Sequence, residues 1–299
     1  MRQFRNERQY EAIRQCSEER GYPIETLCQI LHVSRAGYYQ WHAGKLSPRA
    51  AENKRIAEQV EEIHRSSPDK GYRRIRDDLT RYYDTSVNDK RVRRICQSLG
   101  IKSTIKYARH SCTRSVSDPK HTAENILNRQ FHADRPNEKW LTDVTEFKYY
   151  IGPVVHKVYL SAILDLYDRR IVAAVIRDAN DCALVYETLD KAMTDNPDAH
   201  PLFHSDRGFQ YTTQVFRDKL AAAGMTQSMS RVGKCIDNGP MEGFWGILKR
   251  ERYYGRRFTS REELVWMIED YIAYYNSRRL QRGLGVLTPF EKHELAMVA

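Results

Sequence analysis

Three carboxylates in the second half of the chain have the residue type and spacing for metal-dependent chemistry on a phosphate ester. Asp143 lies within a predicted strand, Asp206 follows a short apolar strand, and Glu242 lies in the first turn of a helix that begins near Pro240. Carboxylates at strand ends and helix starts can converge at one sheet edge, where they repel one another unless a cation joins them. Such sites suit Mg²⁺ or Mn²⁺, and two ions about 3.5–4 Å apart can stabilise the attacking and leaving oxygens of a phosphoryl displacement.

Residue chemistry alone leaves the choice of carboxylates open. Glu146, Asp165, Asp168 and Asp237 are rivals in the same part of the chain. An aspartate at the end of a strand is usually a cap or a turn former. A glutamate in the first helical turn is common without function, because it interacts favourably with the helix dipole.

The elements that must position these carboxylates follow a mixed α/β pattern. Three β segments come first, and helices then alternate with strands, which predicts a mixed sheet flanked by helices. We expect strands at 140–150, 154–166, 170–176, 200–205 and 225–230, and helices at 183–193, 212–223, 238–252 and 262–275.

Composition excludes several other classes of protein. Of the 299 residues, 41% are hydrophobic and 29% are charged, which indicates a globular chain. Apolar runs such as 171–176 are far too short to cross a bilayer, and the N-terminus lacks the apolar stretch of a secretory signal. The six cysteines form no C-x-x-C pair and the histidines are scattered, so no zinc site is expected. We therefore expect a cytoplasmic protein.

The net charge of +10 lies entirely in the first 120 residues, which carry 25 Lys and Arg against 15 Asp and Glu. The remaining residues carry 24 of each kind. A basic segment joined to a neutral one suggests an arm that binds a polyanion, but charge alone is equally typical of an ordinary solvated surface.

Short helices are predicted throughout this basic part. An apolar stripe over 24–31 is followed by Ser34, a good N-cap for a second helix over 35–41. This helix-turn-helix spacing can place a helix in a major groove, although structural helical hairpins share it.

A second helical set begins near Pro48 and carries a basic cluster. Its last helix is predicted between Asn88, a good N-cap, and Gly100, a residue type that is favoured just after the C-terminal end of a helix. The basic residues around its apolar stripe suit contacts with phosphates, and the alternative is a solvated basic face. The residues of this set that we expect to contact DNA are Arg73, Arg74, Lys90, Arg91, Arg93 and Arg94.

Several motifs occur in the order found in one family of DNA transposases. The segment at 204–211, HSDRGFQY, is similar to the HSDRGxQY motif of DDE transposases, and 35 residues separate Asp206 from Glu242. The segment at 140–145, WLTDVT, resembles the motif around the first catalytic aspartate. The chain over about 20–295 thus resembles the OrfB-type transposases of the insertion-sequence-three family, with a core like that of retroviral integrases. Further similar segments lie at 33–39, 71–75, 274–279 and 287–289.

The resemblance implies an RNase-H-like catalytic core. It assigns Asp143, Asp206 and Glu242 as catalytic residues and ligands of Mg²⁺ or Mn²⁺, with two ions per active site. The implied reactions are cleavage at insertion-sequence ends and transfer of the freed 3′-OH into target DNA, with no covalent protein–DNA intermediate. Gly239 and Gly243 depart from the Ala and Ser that are usual in the family, which puts efficiency in question rather than the ligand set.

The resemblance also implies partners. Lys249, seven residues after Glu242, stands where the family has a basic residue, and we expect Lys249 and Arg250 to contact DNA. The expected substrates are terminal inverted repeats and target DNA, bound by a homo-oligomer, and an upstream-frame (OrfA-type) partner or fusion is an open question. The alternative functions are a structure-specific nuclease of the same fold and a non-catalytic DNA-binding regulator.

We therefore expect an α/β fold, an RNase-H-like mixed sheet with flanking helices, preceded by an all-α helix-turn-helix region. The expected segments are a helix-turn-helix-like segment at 1–48, a basic helical DNA-binding domain at 49–105, a linker at 106–129, the catalytic core at 130–255 and a C-terminal helical extension at 256–299.

Overall fold

The computed structural model describes residues 6–44, 48–105 and 123–298, which form two compact units divided between Thr104 and Ile105. Most of the segment expected as a linker, 106–122, lies outside the described residues. Residues 123–129 are part of the second unit, where the main-chain nitrogens of Ile126 and Leu127 donate to Ser228 Oγ. Within the described ranges, no helix is long and apolar enough to cross a membrane.

The first unit begins with helices α1 (Glu7–Arg20), α2 (Ile24–Ile30) and α3 (Arg35–His42). The predicted cap of α3 is confirmed, because Ser34 Oγ accepts a 3.0 Å hydrogen bond from the main-chain nitrogen of Gly37. The residues buried among these helices are Tyr10, Ile13, Cys28 and Tyr38.

The second helical set consists of α4 (Pro48–Ser66), α5 (Tyr72–Tyr82) and α6 (Asp89–Ser98). The predicted cap of α6 is confirmed, because Asn88 Oδ1 accepts a 2.7 Å bond from the main-chain nitrogen of Lys90. Its apolar stripe faces the other two helices. The largest buried side chains are Ile56, Val60, Ile63, Ile75, Leu79, Val92 and Ile95.

The second unit is built on one mixed sheet, as predicted. Its strands are β1 (Lys139–Ile151), β2 (Val154–Asp165), β3 (Ile171–Arg177), β4 (Leu202–Ser205) and β5 (Thr226–Met229). They lie in the order β3-β2-β1-β4-β5. The first three strands form an antiparallel meander, and β4 and β5 run parallel to β1. This arrangement matches the expected RNase-H-like fold.

Helices cover both faces of this sheet. Because neighbouring residues of a strand point to opposite faces, Trp140 packs into one core and Leu141 into the other. The helices are α7 (Cys182–Asp195), α8 (Gln214–Ala222), α9 (Gly239–Leu248), α10 (Arg261–Ser277) and α11 (Pro289–Val298). The Trp140 core lies under α7 and α8, whereas the Leu141 core lies under α9 and α10.

The predicted helix at 238–252 is α-helical only as far as Leu248 and continues as a π-helical turn over Lys249–Tyr253. The main-chain nitrogen of Tyr254 bonds the Lys249 carbonyl at 2.7 Å, five residues back. Within this turn the buried Glu251 carboxylate accepts bonds from Tyr271 and Arg279 on the neighbouring C-terminal segment. Local periodicity carries no sign of these contacts, so it overestimates the length of the α-helix.

Candidate active site

Asp143 lies on the face of β1 that packs against α9. Its Oδ2 accepts a 3.0 Å hydrogen bond from Trp245 Nε1 on that helix. Burial raises the pKa of Asp143 to about 7, and the nearby Asp206 and Glu242 carboxylates contribute to the rise. The surroundings of Asp143 therefore disfavour the negatively charged form of its carboxyl group.

Asp206 lies one residue beyond β4, at the same level of the sheet as Asp143. The parallel β1–β4 pairing ends at Leu141 opposite His204, so two further residues along each strand lead to Asp143 and Asp206. Asp206 Oδ1 accepts a 2.8 Å bond from the main-chain nitrogen of Gly208, and burial raises the pKa of Asp206. A Cβ atom at Gly208 would lie 3.0 Å from Asp206 Oδ1, so glycine permits this close turn.

Tyr211 supports the proximity of the two aspartates. It is buried, and its hydroxyl lies 3.4 Å from Thr142 Oγ1. Burial, together with the charges of both Asp143 and Asp206, raises the pKa of Tyr211 well above its ordinary value. Both carboxylates therefore act on the same phenol.

Glu242 lies in the first turn of α9 and is exposed. The helix begins at Gly239, and Asn238, in the N-cap position, donates from Nδ2 to the Thr142 carbonyl at 2.9 Å. Trp245, which bonds Asp143, lies three residues after Glu242 on the same helix. Two bonds thus attach the Glu242 helix to β1 on either side of that residue.

The donor set fits a hard divalent cation. Within 6–44, 48–105 and 123–298, no group of three or more His, Cys, Asp or Glu side chains is arranged so that it could hold a metal ion. Burial is the main cause of the raised pKa of Asp143, and the Asp206 and Glu242 carboxylates add to it, as like charges without a balancing cation do. Their oxygen atoms are the ligand type that Mg²⁺ and Mn²⁺ prefer.

Lys249 is a neighbour of this site rather than a solvated surface residue. Its Nζ donates a 2.6 Å bond to Thr145 Oγ1 and lies 5.0 Å from the centre of the Phe147 ring. Burial lowers the pKa of Lys249, and the charges of Asp143 and Glu146 partly offset that effect. Arg250 lies in the π-helical turn.

The rival carboxylates are engaged in other parts of the unit. Glu146 pairs with Lys157 across the β1–β2 hairpin at 2.9 Å. Asp165 and Asp168 are fully buried at the β2–β3 turn, where each accepts a main-chain N–H bond. Asp237 is bound by arginine side chains. The contacts of Glu146 and Asp237 join separate segments, whereas those of Asp165 and Asp168 stabilise the turn in which they lie.

A buried histidine network next to Asp206 has no counterpart in the predictions. Ser228 Oγ accepts two main-chain bonds and lies 2.9 Å from His204 Nδ1, so its one proton is directed to that nitrogen. The opposite ring nitrogen, Nε2, then donates to Ser230 Oγ at 3.1 Å. Burial lowers the pKa of His204 to about 4. The histidine of the HSDRGFQY segment is therefore a neutral connector of β4, β5 and the segment before β1.

The basic residues predicted on α6 have different surroundings. Lys90, Arg93 and Arg94 are exposed. Arg91 instead forms two bonds of 2.8 and 3.0 Å with the Glu52 carboxylate of α4. The structure therefore gives Arg91 a role in joining α6 to α4.

The two predicted arginines of α5 also differ. Arg73 is exposed and lies 5.6 Å from the centre of the Tyr72 ring, while Arg93 lies 6.0 Å from the same ring. Arg74 pairs with the buried Asp69 at 3.0 Å. Arg73 and Arg93 thus share one aromatic surface, whereas Arg74 takes part in an internal ion pair.

Family models match most of the described chain. An integrase core domain model matches residues 133–235, a second integrase core domain model matches 242–295, and an HTH-like domain model matches 51–109. The fold and these domains define a DDE-type transposase or integrase.

Curated relatives are similar over most of the chain. The putative transposase InsK for insertion sequence element IS150 of Escherichia coli is 36% identical over 272 residues, which are 90% of this chain and 93% of that protein. An uncharacterized transposase-like protein of Haemophilus influenzae is 40% identical over 68% of this chain and 91% of its own length. Transposase InsF for IS3A of E. coli is 28% identical over 92% of this chain and 96% of its own length. The chain belongs to the insertion-sequence-three family of transposases.

Among solved structures, the HTLV-2 integrase catalytic core domain in complex with magnesium is similar to this chain, with a TM-score of 0.42 and 16% identity. The match covers 54% of this chain and 99% of that one.

Proposed function

We propose that this protein cleaves DNA at the ends of an insertion sequence and joins the freed 3′-OH to target DNA. The observation that supports the proposal is the attachment of the elements that carry the three carboxylates to one another. Parallel pairing of β1 and β4 brings Asp143 and Asp206 to one level, and the Trp245–Asp143 bond holds the Glu242 helix beside them. Membership of a transposase family supports the same chemistry.

In this proposal Asp143, Asp206 and Glu242 hold Mg²⁺ or Mn²⁺, with two ions per active site. When bound, the ions would activate the attacking oxygen and stabilise the charge that develops at phosphorus. In the first reaction a water oxygen attacks phosphorus and the bond to the 3′ oxygen breaks, which leaves a 3′-OH. In the second, that hydroxyl oxygen attacks phosphorus in a target phosphodiester, and the bond from that phosphorus to the 3′ oxygen of the target strand breaks. Because oxygen nucleophiles come from water and DNA, no protein nucleophile is required.

Lys249 is assigned to the phosphate beside the carboxylates. Its bond to Thr145 places the ammonium group two residues along β1 from Asp143. Successive side chains on one face of a strand are two residues apart, so both groups lie on that face. A fixed positive charge there can hold a DNA phosphate near the reacting position.

The first unit is assigned to binding of the element ends. Its exposed basic residues Arg73, Lys90, Arg93 and Arg94 suit contacts with phosphates, and Arg250 is a further candidate in the second unit. Two element ends must be held during joining, which supports a homo-oligomer on DNA. Family membership supports a cytoplasmic, DNA-associated location, and the proposal includes an upstream-frame (OrfA-type) partner or fusion.

The test is a cleavage and joining assay on DNA duplexes that carry the terminal repeats flanking the coding region. The wild-type protein with Mg²⁺ is expected to cut these duplexes and to join them to a plasmid. Asp206→Asn is expected to bind the same duplexes with unchanged affinity and to lose both reactions. Asp195→Asn, at an exposed position of α7, is the matched control and is expected to keep both.

The outcomes separate the proposal from its rivals. Undiminished joining by Asp206→Asn would contradict the three-carboxylate assignment. A wild-type protein that cuts without joining would be a nuclease of the same fold. Sequence-specific binding without either reaction would indicate a regulator.

A further inference from the structure

Asp237 is a fully buried carboxylate immediately before the helix that carries Glu242. It lies in the 3₁₀ turn Cys235–Asn238. Arg231, in the loop after β5, donates to it three times: from the main-chain nitrogen at 3.1 Å, from Nε at 2.8 Å and from Nη2 at 2.8 Å. The loop after β5 is thereby fastened to the start of α9.

A second segment of the chain binds the same carboxylate. Asn125 Nδ2 donates at 3.0 Å and Arg129 Nε donates at 2.6 Å, both from the segment that precedes β1. Asp237 therefore accepts five hydrogen bonds from two segments other than its own. Charge-assisted bonds of this kind are roughly twice as strong as neutral ones, and an unpaired buried carboxylate would be costly.

Asn238, the residue after Asp237, connects this turn to the strand that carries Asp143. Asn238 Nδ2 bonds the carbonyl of Thr142, which directly precedes Asp143. Asn238 Oδ1 is buried and has no hydrogen-bond partner among the described residues, so only the amide nitrogen of this side chain attaches the turn to β1. Glu242 follows four residues later, about one helical turn along α9.

We infer that Asp237 is a positioning residue that sets where Glu242 stands relative to Asp143. This inference rests on the proposed function of the site. Asp237 itself contacts neither substrate nor metal in this assignment. It acts by fixing the turn from which α9 begins, so loss of its partners displaces Glu242. Displacement of a reacting group by about 1 Å can cost about 100-fold in rate.

The arginine partners allow a test that spares the buried carboxylate. The Arg231 and Arg129 side chains are 46% and 41% exposed, so Arg231→Ala and Arg129→Ala leave no large cavity. The double variant is expected to lower kcat for end cleavage by about 10- to 100-fold with little change in KM for DNA. Mn²⁺ affinity, measured by electron paramagnetic resonance titration without DNA, is expected to fall by about 10- to 100-fold.

Two variants control for charge and geometry. Arg135→Ala removes an exposed arginine from the segment that also carries Arg129 and is expected to change neither quantity. Arg231→Lys keeps the positive charge with fewer donors. Its Mn²⁺ affinity is expected to lie between that of Arg231→Ala and that of the wild type. Asp237→Asn is the direct variant and is expected to resemble the double variant. If Asp237→Asn or the double variant fails to fold, the single variants Arg231→Ala and Arg129→Ala, each of which leaves one guanidinium on Asp237, still decide the question.

The results distinguish positioning from stability alone. If the double variant lowers only the melting temperature, with kcat and Mn²⁺ affinity as in the wild type, the inference is wrong. A rise in KM with unchanged kcat and Mn²⁺ affinity would assign the arginines to DNA binding and also overturn it. If the wild type neither cuts nor joins DNA but the variants lose Mn²⁺ affinity, the proposed function fails while the positioning role stands.

Discussion

Trp245 Nε1 and Asp143 Oδ2 are joined by a 3.0 Å hydrogen bond between α9 and β1, across 102 residues of sequence. The Trp245 ring is buried in the core on that face of the sheet, so the bond starts from a rigid base. Because Glu242 lies three residues earlier on the same helix, this bond fixes two of the three proposed metal ligands relative to each other.

We expect Trp245→Phe to reduce end cleavage. The substitution keeps an aromatic ring in the core but removes the donor to Asp143. Loss of one hydrogen bond to a charged group costs about 1.5 kcal/mol or more, which corresponds to a fall in rate of about 10-fold. The measurement is single-turnover cleavage of an element-end duplex at saturating Mg²⁺.

Trp266→Phe is the matched control for that variant. Trp266 lies on α10 with 67% of its surface exposed. It is expected to leave the cleavage rate unchanged. Equal rates for Trp245→Phe and the wild type would show that the indole donor does not orient Asp143.

A second prediction concerns the glycine beside Glu242. A Cβ atom at Gly243 would meet no atom within 4 Å, and glycine within a helix costs up to about 1 kcal/mol relative to alanine. Gly243→Ala is therefore expected to stabilise the second unit by up to about 1 kcal/mol, measured by urea denaturation.

Gly152→Ala provides the contrast. Gly152 also has open space around its Cβ position, but its φ of +58° lies in the left-handed region. There alanine is expected to destabilise by about 1 kcal/mol, so the two substitutions should have opposite signs. Destabilisation by Gly243→Ala would mean that the start of α9 needs the freedom of glycine.

The third prediction concerns the exposed basic residues of α6. Combined alanine substitution of Lys90, Arg93 and Arg94 is expected to weaken DNA binding and to reduce the slope of log affinity against log salt. The expected reduction is about 0.9 for each phosphate that the variant no longer neutralises. Fluorescence anisotropy over a series of salt concentrations measures both quantities.

Arg91→Ala is expected to act differently, because the Arg91 guanidinium is bound to Glu52. It should lower the melting temperature of the first unit and leave the salt slope close to that of the wild type. A salt slope reduced as much by Arg91→Ala as by substitution of an exposed base would return Arg91 to the DNA interface.

Local sequence signals predicted the elements of this fold well. Ser34 and Asn88 act as helix caps at the predicted positions, because a cap bonds main-chain groups only two or three residues away. The three consecutive β segments and the alternating helices after them likewise depend on short-range periodicity.

Contacts between distant segments were beyond these signals. Nothing near Arg91 indicates that its partner Glu52 lies 39 residues earlier, so the sequence showed a basic helix face without showing which base is paired. In the same way, the Trp245 and Asn238 bonds to β1 arise only once α9 has packed on the sheet. The carboxylates themselves were selected by resemblance to a family, since residue chemistry left several rivals.

The final prediction concerns His204 and pH. Its folded-state pKa is about 4, below the ordinary value of 6.5, because the ring is buried and bonded as a neutral group between Ser228 and Ser230. Between about pH 6.5 and 4, His204 is therefore protonated in the unfolded chain and neutral in the folded chain. The stability that His204 contributes is lost as pH falls through this interval. Between about pH 7.5 and pH 5 the loss amounts to about 2 kcal/mol.

The measurement compares the wild type with His204→Gln by urea denaturation at these two pH values. Asp143 and Asp165 are buried with raised pKa values, so their contribution to stability increases as pH falls, opposite to that of His204. Both proteins share this contribution, so the difference between their free energies of unfolding isolates His204. His204→Gln is expected to be less stable than the wild type at the higher pH, with a deficit smaller by about 2 kcal/mol at the lower one. His132→Gln, at a side chain that is 88% exposed, is expected to keep the wild-type pH dependence. A deficit that stays constant with pH would show that His204 is not held neutral in the folded protein.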